Sequence, residues 1–255
     1  MPAIPRSEPF REQACPLGVC DGSGWILDAE DIAQECECRA QRMKRRRNKG
    51  VASVIPKKYR LRASFESSEV HQLQGSPGSG AIVREVRRYV DELDKNLTTG
   101  KGLWLMGDTG TGKTLLAMIV SKTALAQGHS VAIYSMPKLL SWIRQTYDSA
   151  PGQDSYLSFF ERLASVDLLH IDDLGAERRN DWVLEQLYAI VNERYENERS
   201  MLLTMNVEAR DVVKGMDELK EQLGPRIVSR LIEMCGDPLP LFGPDQRVEV
   251  RAVSR

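Results

Sequence analysis

At positions 107–114 the chain reads Gly107-Asp108-Thr109-Gly110-Thr111-Gly112-Lys113-Thr114, which matches the phosphate-loop pattern GxxxxGK[ST] in full. An apolar run at 102–106 precedes this loop, and a helix-like stretch begins at Thr114. Glycines let backbone N–H groups turn toward phosphate oxygens at the positive end of the following helix. We therefore predict an ATP site in which Lys113 reaches the β- and γ-phosphates and Thr114 holds Mg²⁺. The alternative is a glycine-rich turn with a chance lysine.

A second acidic motif lies at residues 167–175, where a short apolar strand ends in Asp172 and Asp173. Buried parallel strands place their carboxyl ends at the ligand crevice. This pattern is typical of a Walker B element, with Asp172 on Mg²⁺ and Asp173 polarising the water that attacks the γ-phosphate. An ordinary aspartate-rich turn is the alternative.

Length and composition limit the class of protein. A chain of 255 residues with 42% hydrophobic residues accommodates one nucleotide-binding domain and a smaller appendage. We find no run of eighteen uncharged apolar residues and no apolar signal at the amino terminus, and therefore expect a soluble cytoplasmic protein with no membrane contact. In that compartment five cysteines favour metal ligation or free thiols over disulfides.

The net charge of −1 conceals a basic block, since residues 39–65 contain no acid and are rich in arginine and lysine. Such a block is suited to phosphates or to an acidic protein surface. A solvated basic linker explains it equally well.

Four cysteines near the amino terminus form two pairs, Cys15 with Cys20 and Cys36 with Cys38. Tetrahedral Zn²⁺ takes four thiolates, and an intervening hairpin with one strand at 24–27 would bring the pairs together. We predict a zinc site here, with unmetallated thiols as the alternative. Cys235 stands alone and is expected to pack as a small apolar side chain.

Turn residues and hydrophobic periodicity divide the chain into a cysteine-rich domain at 1–50, a linker at 51–78 and an ATPase domain at 79–255. Within the last, helices are predicted at 81–97, 114–126, 137–147, 155–164 and 181–196, and strands at 102–106, 130–135, 167–175 and 201–204. Alternating strands and helices predict an α/β fold, a parallel sheet covered on both faces.

Two further sites contain polar residues that we do not expect to pack in the apolar core. Asn206, just after the strand at 201–204, is expected to orient the hydrolytic water; a turn-forming asparagine is the alternative. Arg226 and Arg230 are four residues apart on one predicted helix face. An arginine presented to the γ-phosphate of a neighbouring subunit would stabilise transition-state charge, and a surface salt bridge is the alternative.

These motifs, together with Ile55-Pro56-Lys57-Lys58-Tyr59-Arg60, resemble the DnaC/DnaI/IstB group of AAA+ ATPases over about residues 54–250. The resemblance implies Walker A and B roles at 107–114 and 172–173, sensor 1 at Asn206 and an arginine finger at Arg230. It also implies an accessory interface role for Arg226 and a sensor 2 role for Arg247. Two features depart from the family pattern: Asp173 replaces the commoner glutamate, and the first cysteine pair is widely spaced.

The resemblance implies a loader of the replicative DNA helicase that binds ATP and single-stranded DNA and self-associates into an ATP-dependent oligomer. Its cysteine-rich domain, similar to that of DnaI-type loaders, would bind the helicase. One alternative is a transposition helper ATPase with the same chemistry. Another is a nucleotide-gated adaptor with little turnover, which the short Asp173 side chain keeps open. A small-molecule P-loop kinase fits less well, although Arg178 and Arg179 follow the second motif.

Overall fold

The computed structural model describes residues 15, 17–20, 25–27, 32–38, 55–76, 78–147, 155–175, 180–207 and 212–246. The chain divides into two compact units, Met1–Gly50 and Val51–Arg255, named here the cysteine unit and the large unit. The boundary between them lies at the predicted end of the cysteine-rich domain. Residues 51–78, predicted as a linker, belong to the large unit.

The cysteine unit contains a small antiparallel ribbon. Its strands are β1, Trp25–Leu27, and β2, Ala33–Glu35, with Trp25 opposite Glu35. The strand predicted at 24–27 is thus present from Trp25 onward. Because β2 is followed directly by Cys36 and Cys38, the ribbon delivers both thiols to the end of the hairpin where β1 begins.

The large unit alternates helices and strands. Its strands are β3 Leu103–Gly107, β4 Val131–Ser135, β5 Leu168–Leu174, β6 Ser200–Asn206 and β7 Leu239–Leu241. Its helices are α1 Ser68–Gly75, α2 Ser79–Asp91, α3 Leu93–Thr98, α4 Lys113–Ala126, α5 Met136–Tyr147, α6 Tyr156–Ser165, α7 Asp181–Glu196, α8 Val212–Leu223 and α9 Pro225–Cys235. None of the described helices is long and apolar enough to cross a membrane.

The strands form one five-stranded sheet in the order β4-β5-β6-β3-β7, and all the neighbouring strands pair in parallel. This arrangement is the predicted α/β fold. Since β3, β5 and β6 are adjacent, the loop after β3 and the polar ends of β5 and β6 meet at one edge of the sheet.

Side chains alternate between two apolar layers. Leu103 and Leu105 of β3 pack with α1, α2 and α4, whereas Trp104 and Met106 pack on the opposite face, which α5 to α9 cover. Strands buried on both faces read as continuous apolar runs, and this explains why the sequence signals them without alternation.

Local signals set the helix boundaries. The side chains of Ser67, Ser155 and Asn180 each accept a hydrogen bond from a first-turn N–H group, at the starts of α1, α6 and α7. Pro225 occupies the first turn of α9. The helix predicted at 81–97 is divided at Glu92, where α2 ends and α3 begins.

The segment predicted as a linker carries α1 and contributes to the core where it is described. Val70 and Leu73 are buried in the same apolar layer as the helix α4. Lys122 of α4 donates hydrogen bonds to the carbonyl oxygens of Arg60 and Ala63, at 2.9 and 3.0 Å. Residues 55–76 therefore pack against α4, the helix that follows the phosphate loop, and do not form a free linker.

Candidate nucleotide-binding site

The loop at 107–114 has the backbone that phosphate binding requires. Gly112 lies in the left-handed region at φ 97°, and a Cβ there would come within 2.7 Å of a Leu73 methyl. Gly107 also has positive φ, and a Cβ on it would overlap the carbonyl of Leu241. Larger residues at either position would strain the backbone and displace a neighbouring segment, so both glycines are needed for the shape of the loop.

Lys113 begins α4 and is only 5% exposed. Its Nζ donates to the carbonyl oxygens of Gly107 and Asp108, at 3.0 and 2.5 Å. These bonds fold the side chain back against the loop, so the ammonium group lies beside the backbone of residues 107 and 108. A cation held in this position offers charge-assisted hydrogen bonds to phosphate oxygens.

Asp172 lies at the end of β5 and connects the two motifs found in the sequence. Its Oδ1 accepts hydrogen bonds from Thr114 Oγ1 at 3.0 Å and from Thr204 Oγ1 at 2.6 Å. Two ligand oxygens beside each other on an octahedral Mg²⁺ are about 2.9 Å apart, given Mg–O distances near 2.1 Å. The spacing of Thr114 and Asp172 therefore fits a magnesium ion that both would contact.

Asp173 has an unusual backbone conformation, with φ 58°. The pairing of β5 with β6 shifts register between Ile171 and Leu174, which is the effect of a bulge. In a regular strand, consecutive side chains point to opposite faces. The bulge instead turns Asp173 into the cavity beside the phosphate loop, while Asp172 remains bonded to Thr114 of that loop.

Two residues of β6 fix this conformation. Thr204 Oγ1 accepts a hydrogen bond from the backbone N–H of Asp173 at 2.9 Å, and Asn206 Nδ2 donates to Asp173 Oδ1 at 3.2 Å. The structure thus places Asn206 beside the carboxylate with which it was predicted to act. The role of Thr204 was not predicted, although its position two residues before Asn206 puts both side chains on the same face of β6.

A cavity of about 460 Å³ opens beside the phosphate loop, which is large enough for a nucleotide. Its walls include Asp173 and Asn206 and also residues that were assigned to the linker. These are Lys58, Tyr59, Arg62, Glu69, Gln72 and Leu73. Gln246 contributes from the carboxyl-terminal side. The motif at 55–60 was visible in the sequence, but its contact with the cavity depends on the tertiary packing of α1.

The two predicted interface arginines lie elsewhere in the large unit. Arg226 is exposed and Arg230 is half-buried, both on α9, and neither lines the cavity. Neither forms an ion pair within the described part of the chain, so the alternative of a surface salt bridge gains no support. Arg247, Arg178 and Arg179 lie outside the described residues.

The four amino-terminal cysteines converge. Their Sγ atoms all lie within 4.8 Å of one another, with Cys15 and Cys36 at 4.0 Å and Cys20 and Cys38 at 3.4 Å. Four sulfurs around a tetrahedral Zn²⁺ are about 3.8 Å apart, given Zn–S bonds near 2.3 Å. The cluster therefore fits zinc.

The pKa values of these thiols differ, since backbone hydrogen bonding favours the thiolate of Cys15 whereas burial raises the pKa of Cys38. Backbone N–H groups, with that of Cys20 contributing most, lower the pKa of Cys15 to about 6. The thiolate is the form that binds a metal. Cys235, by contrast, is buried in the large unit, where burial raises its pKa to about 12, as expected for a packed apolar side chain.

The family model of IstB-like ATP binding proteins matches residues 30–236 of this chain. The replicative helicase loader DnaC of Escherichia coli strain K12 is 27% identical over 199 residues, which cover 78% of this chain and 73% of DnaC. The phage-like element PBSX protein XkdC of Bacillus subtilis strain 168 is 29% identical over 231 residues, which cover 87% of this chain and 80% of XkdC.

Solved structures agree with this relationship. A crystal structure of the DnaC helicase loader superposes with a TM-score of 0.62 at 27% identity, covering 74% of this chain and 100% of that one. A crystal structure of DnaI gives 0.52 at 23% identity, covering 68% of this chain and 86% of that one, and shows likeness of fold alone. The predicted AAA+ architecture is thereby confirmed.

Proposed function

The chain belongs to the family of IstB-like ATP-binding proteins, and from this membership we propose that it is a cytoplasmic ATPase that loads a replicative DNA helicase onto single-stranded DNA. The observation that supports the ATPase part is the pair of contacts at the ends of β5 and β6, where Asp172 accepts a hydrogen bond from Thr114 and Asp173 accepts one from Asn206. The helicase part is supported by the similarity to DnaC.

Each residue at the edge has a distinct task in this proposal. Lys113 and the loop N–H groups bind the phosphates of ATP, and Thr114 and Asp172 hold Mg²⁺. The metal, when bound, neutralises charge on the phosphate oxygens. Asp173 orients the attacking water and accepts its proton, and Asn206 fixes the carboxylate of Asp173. Arg247, the proposed sensor 2 residue, is assigned by resemblance alone.

Arg230 completes the site in trans. Because Arg230 does not line the cavity of its own chain, it would act on nucleotide bound to a neighbouring copy, with Arg226 supporting the interface. ATP then links adjacent subunits of an oligomer. Hydrolysis removes the γ-phosphate that Arg230 contacts, and the contact weakens.

Single-stranded DNA would bind the surface formed by α5, α6 and the start of α7. Tyr147 and Tyr156 stack with ring centroids 5.3 Å apart, and Arg144 lies 4.6 Å from the Trp182 ring centre. Trp142 on the same helix as Arg144 is 45% exposed. Accessible aromatic rings beside cations provide stacking platforms and phosphate contacts for unpaired bases.

The cysteine unit, held by zinc, would provide the contact with the helicase. Leu17, Val19 and Trp25 are exposed there. Apolar side chains exposed on so small a unit are suited to a protein partner.

A loading assay tests the proposal. The replicative helicase of the host is mixed with closed circular single-stranded DNA, ATP and this protein, and helicase retained on the circles after gel filtration is measured. We expect retention with the wild-type protein and background retention with Lys113→Ala. Equal retention with no loader protein added would overturn the helicase assignment.

A second candidate shares the chemistry but delivers a transposase. The description of the family as IstB-like favours it directly. Affinity capture on the immobilised protein, with purified helicase in one arm and a purified transposase of the IS21 type in the other, separates the two. Binding of the transposase alone would replace the helicase proposal.

The nucleotide-gated adaptor is favoured by one observation, the short Asp173 side chain tied to Asn206. Single-turnover hydrolysis of radiolabelled ATP, with and without single-stranded DNA, decides the matter. We expect DNA to accelerate phosphate release, and Asp173→Asn to abolish it while ATP remains bound. Release equally slow in wild type and Asp173→Asn would identify an adaptor.

A further inference from the structure

Two tyrosines of α7 hold the side chain of Arg230. Tyr188 and Tyr195 are seven residues apart, so they lie on the same face of that helix. The guanidinium carbon of Arg230 is 5.1 Å from the ring centre of Tyr188 and 5.5 Å from that of Tyr195. Both distances are within the range of a cation–π interaction.

The cation has few other partners. Its Nε is buried without a hydrogen-bond acceptor, and its Nη1 makes only a long contact of 3.5 Å with the carbonyl oxygen of Arg226. No carboxylate in the described part of the chain forms an ion pair with it. Among the described residues, the two aromatic faces are thus the groups in contact with this charge, apart from the Arg226 carbonyl.

Tyr195 also interacts with an acidic residue of α9. Hydrogen bonding with the side chain of Glu233, one turn after Arg230 on α9, raises the pKa of the Tyr195 hydroxyl. The acidic group nearest to Arg230 along α9 thus interacts with the tyrosine.

We propose that Tyr188 and Tyr195 are positioning residues that orient Arg230 for the γ-phosphate bound by a neighbouring copy of this chain. The inference rests on the proposed function, since it assumes that Arg230 acts in trans. A carboxylate partner would occupy the N–H donors of the guanidinium and cancel its charge. Aromatic faces attract the cation and restrict its rotamers but leave the outer N–H groups available for phosphate oxygens.

The first experiment compares variants in steady-state hydrolysis. Tyr188→Leu/Tyr195→Leu removes both ring faces, and Tyr188→Phe/Tyr195→Phe keeps them. We expect kcat to fall about tenfold in the leucine variant and less than about threefold in the phenylalanine variant. Binding of a fluorescent ATP analogue should be unchanged in both, which establishes that the large unit is folded.

The decisive experiment mixes subunits. Lys113→Ala provides Arg230 but binds ATP only weakly, and Arg230→Ala binds ATP but lacks the arginine. At an ATP concentration that fills only the second subunit, their mixture should therefore hydrolyse ATP although neither does alone. Adding Tyr188→Leu/Tyr195→Leu to the Lys113→Ala subunit should reduce this rescue about tenfold. Adding the same changes to the Arg230→Ala subunit should not reduce it, because that subunit provides no arginine. A merely structural role would weaken both mixtures alike.

The outcomes distinguish the action of Arg230 in trans from the positioning role of the two tyrosines. If Lys113→Ala and Arg230→Ala do not rescue each other, action in trans is wrong, and the positioning role is overturned with it. If they rescue each other and the leucine changes in the Lys113→Ala subunit have no effect, or the effect is equal in either subunit, the positioning role alone is overturned.

Discussion

The large unit and the cysteine unit differ in what fills their interiors. In the large unit, strands such as β3 are buried on both faces by apolar side chains, and the nucleotide site lies at the edge of that core. In the cysteine unit the described buried side chains are Cys15, Cys36 and Cys38, with Cys20 and Ile26 packed against them. In the large unit, apolar packing stabilises the fold that positions the site. In the cysteine unit, metal binding at the site would stabilise the fold.

Removal of the proposed zinc should separate the stabilities of the two units most clearly. With Cys36→Ser/Cys38→Ser, or after chelation, we expect the cysteine unit to unfold, since zinc binding supplies about 10 kcal/mol or more in small zinc modules. The large unit should melt within about 2 °C of the wild type. Zinc content, circular dichroism and limited proteolysis provide the measurements. A metal-free protein whose first fifty residues resist protease would contradict the prediction.

Replacing Arg194 tests whether buried polar contacts, in addition to apolar packing, stabilise the large unit. Its guanidinium is fully buried and donates to the carbonyl oxygens of Leu163, Val166 and Ser200, at 2.6, 3.0 and 2.6 Å. Arg194→Met leaves these acceptors unpaired, and we expect a loss of about 3 kcal/mol in the free energy of unfolding, measured with urea.

The control for Arg194 is Arg199→Met, which removes an arginine with a 38% exposed side chain, 3.5 Å from Asp167. We expect it to cost less than about 1 kcal/mol. Equal costs for the two arginines would mean that the carbonyl contacts of Arg194 contribute no more than a surface pair.

Lys113→Ala tests the opposite relation in the large unit, because it should remove function and keep the fold. We expect ATP affinity to fall about 100-fold, since charge-assisted bonds to the phosphates are lost. The urea midpoint should change little. Isothermal calorimetry measures the affinity, and Lys138→Ala, an exposed lysine on α5, is the matched control. Unfolding of Lys113→Ala would show that site and core are not separable here.

His170 should make the core of the large unit sensitive to acid. Its ring is fully buried, its Nδ1 lies 2.9 Å from Ser121 Oγ, and burial lowers its pKa to about 3 from 6.5. Below pH 6.5 the imidazole of the unfolded chain binds a proton, whereas the buried imidazole of the native state stays neutral. The free energy of unfolding therefore decreases as the pH is lowered from 6.5 to about 3. Between pH 6.5 and 5.0 the loss of unfolding free energy amounts to about 2 kcal/mol.

The double variant Ser121→Ala/His170→Leu removes both partners of that contact. Its free energy of unfolding should therefore lack the pH dependence that His170 contributes. Urea titrations at the two pH values measure it, and carboxylates common to both proteins cancel in the difference. Parallel pH profiles for wild type and variant would refute the assignment.

The phosphate loop and the acidic motif were predictable from the sequence because each consists of contiguous residues. The strands β3 and β5 were recognisable for the same reason, as short apolar runs that end in turn-forming or charged residues. The helix α8 and the strand β7 were not predicted. Strand β7 has only three residues and contains Pro240, and its pairing with β3 depends on residues far away in the chain.

The role of residues 55–76 was missed for a related reason. Pro56 and the turn cluster near 75–80 are typical of a connector, and composition does not reveal that Leu73 packs under Gly112. The contribution of Thr204 was equally hidden, since threonine in a buried strand is ordinary until its hydroxyl is found 2.6 Å from Asp172.

The candidate groups for the chemistry follow from the sequence alone: glycines, a lysine and two aspartates at spacings that local backbone geometry makes meaningful, and four thiols in two pairs. The tertiary structure decided how those groups face one another. Asp173 points to the cavity only because a register shift between β5 and β6 places it at positive φ. Arg230 lies between two tyrosines only because α9 packs on α7. Such contacts join residues distant in the chain, and no local pattern specifies them.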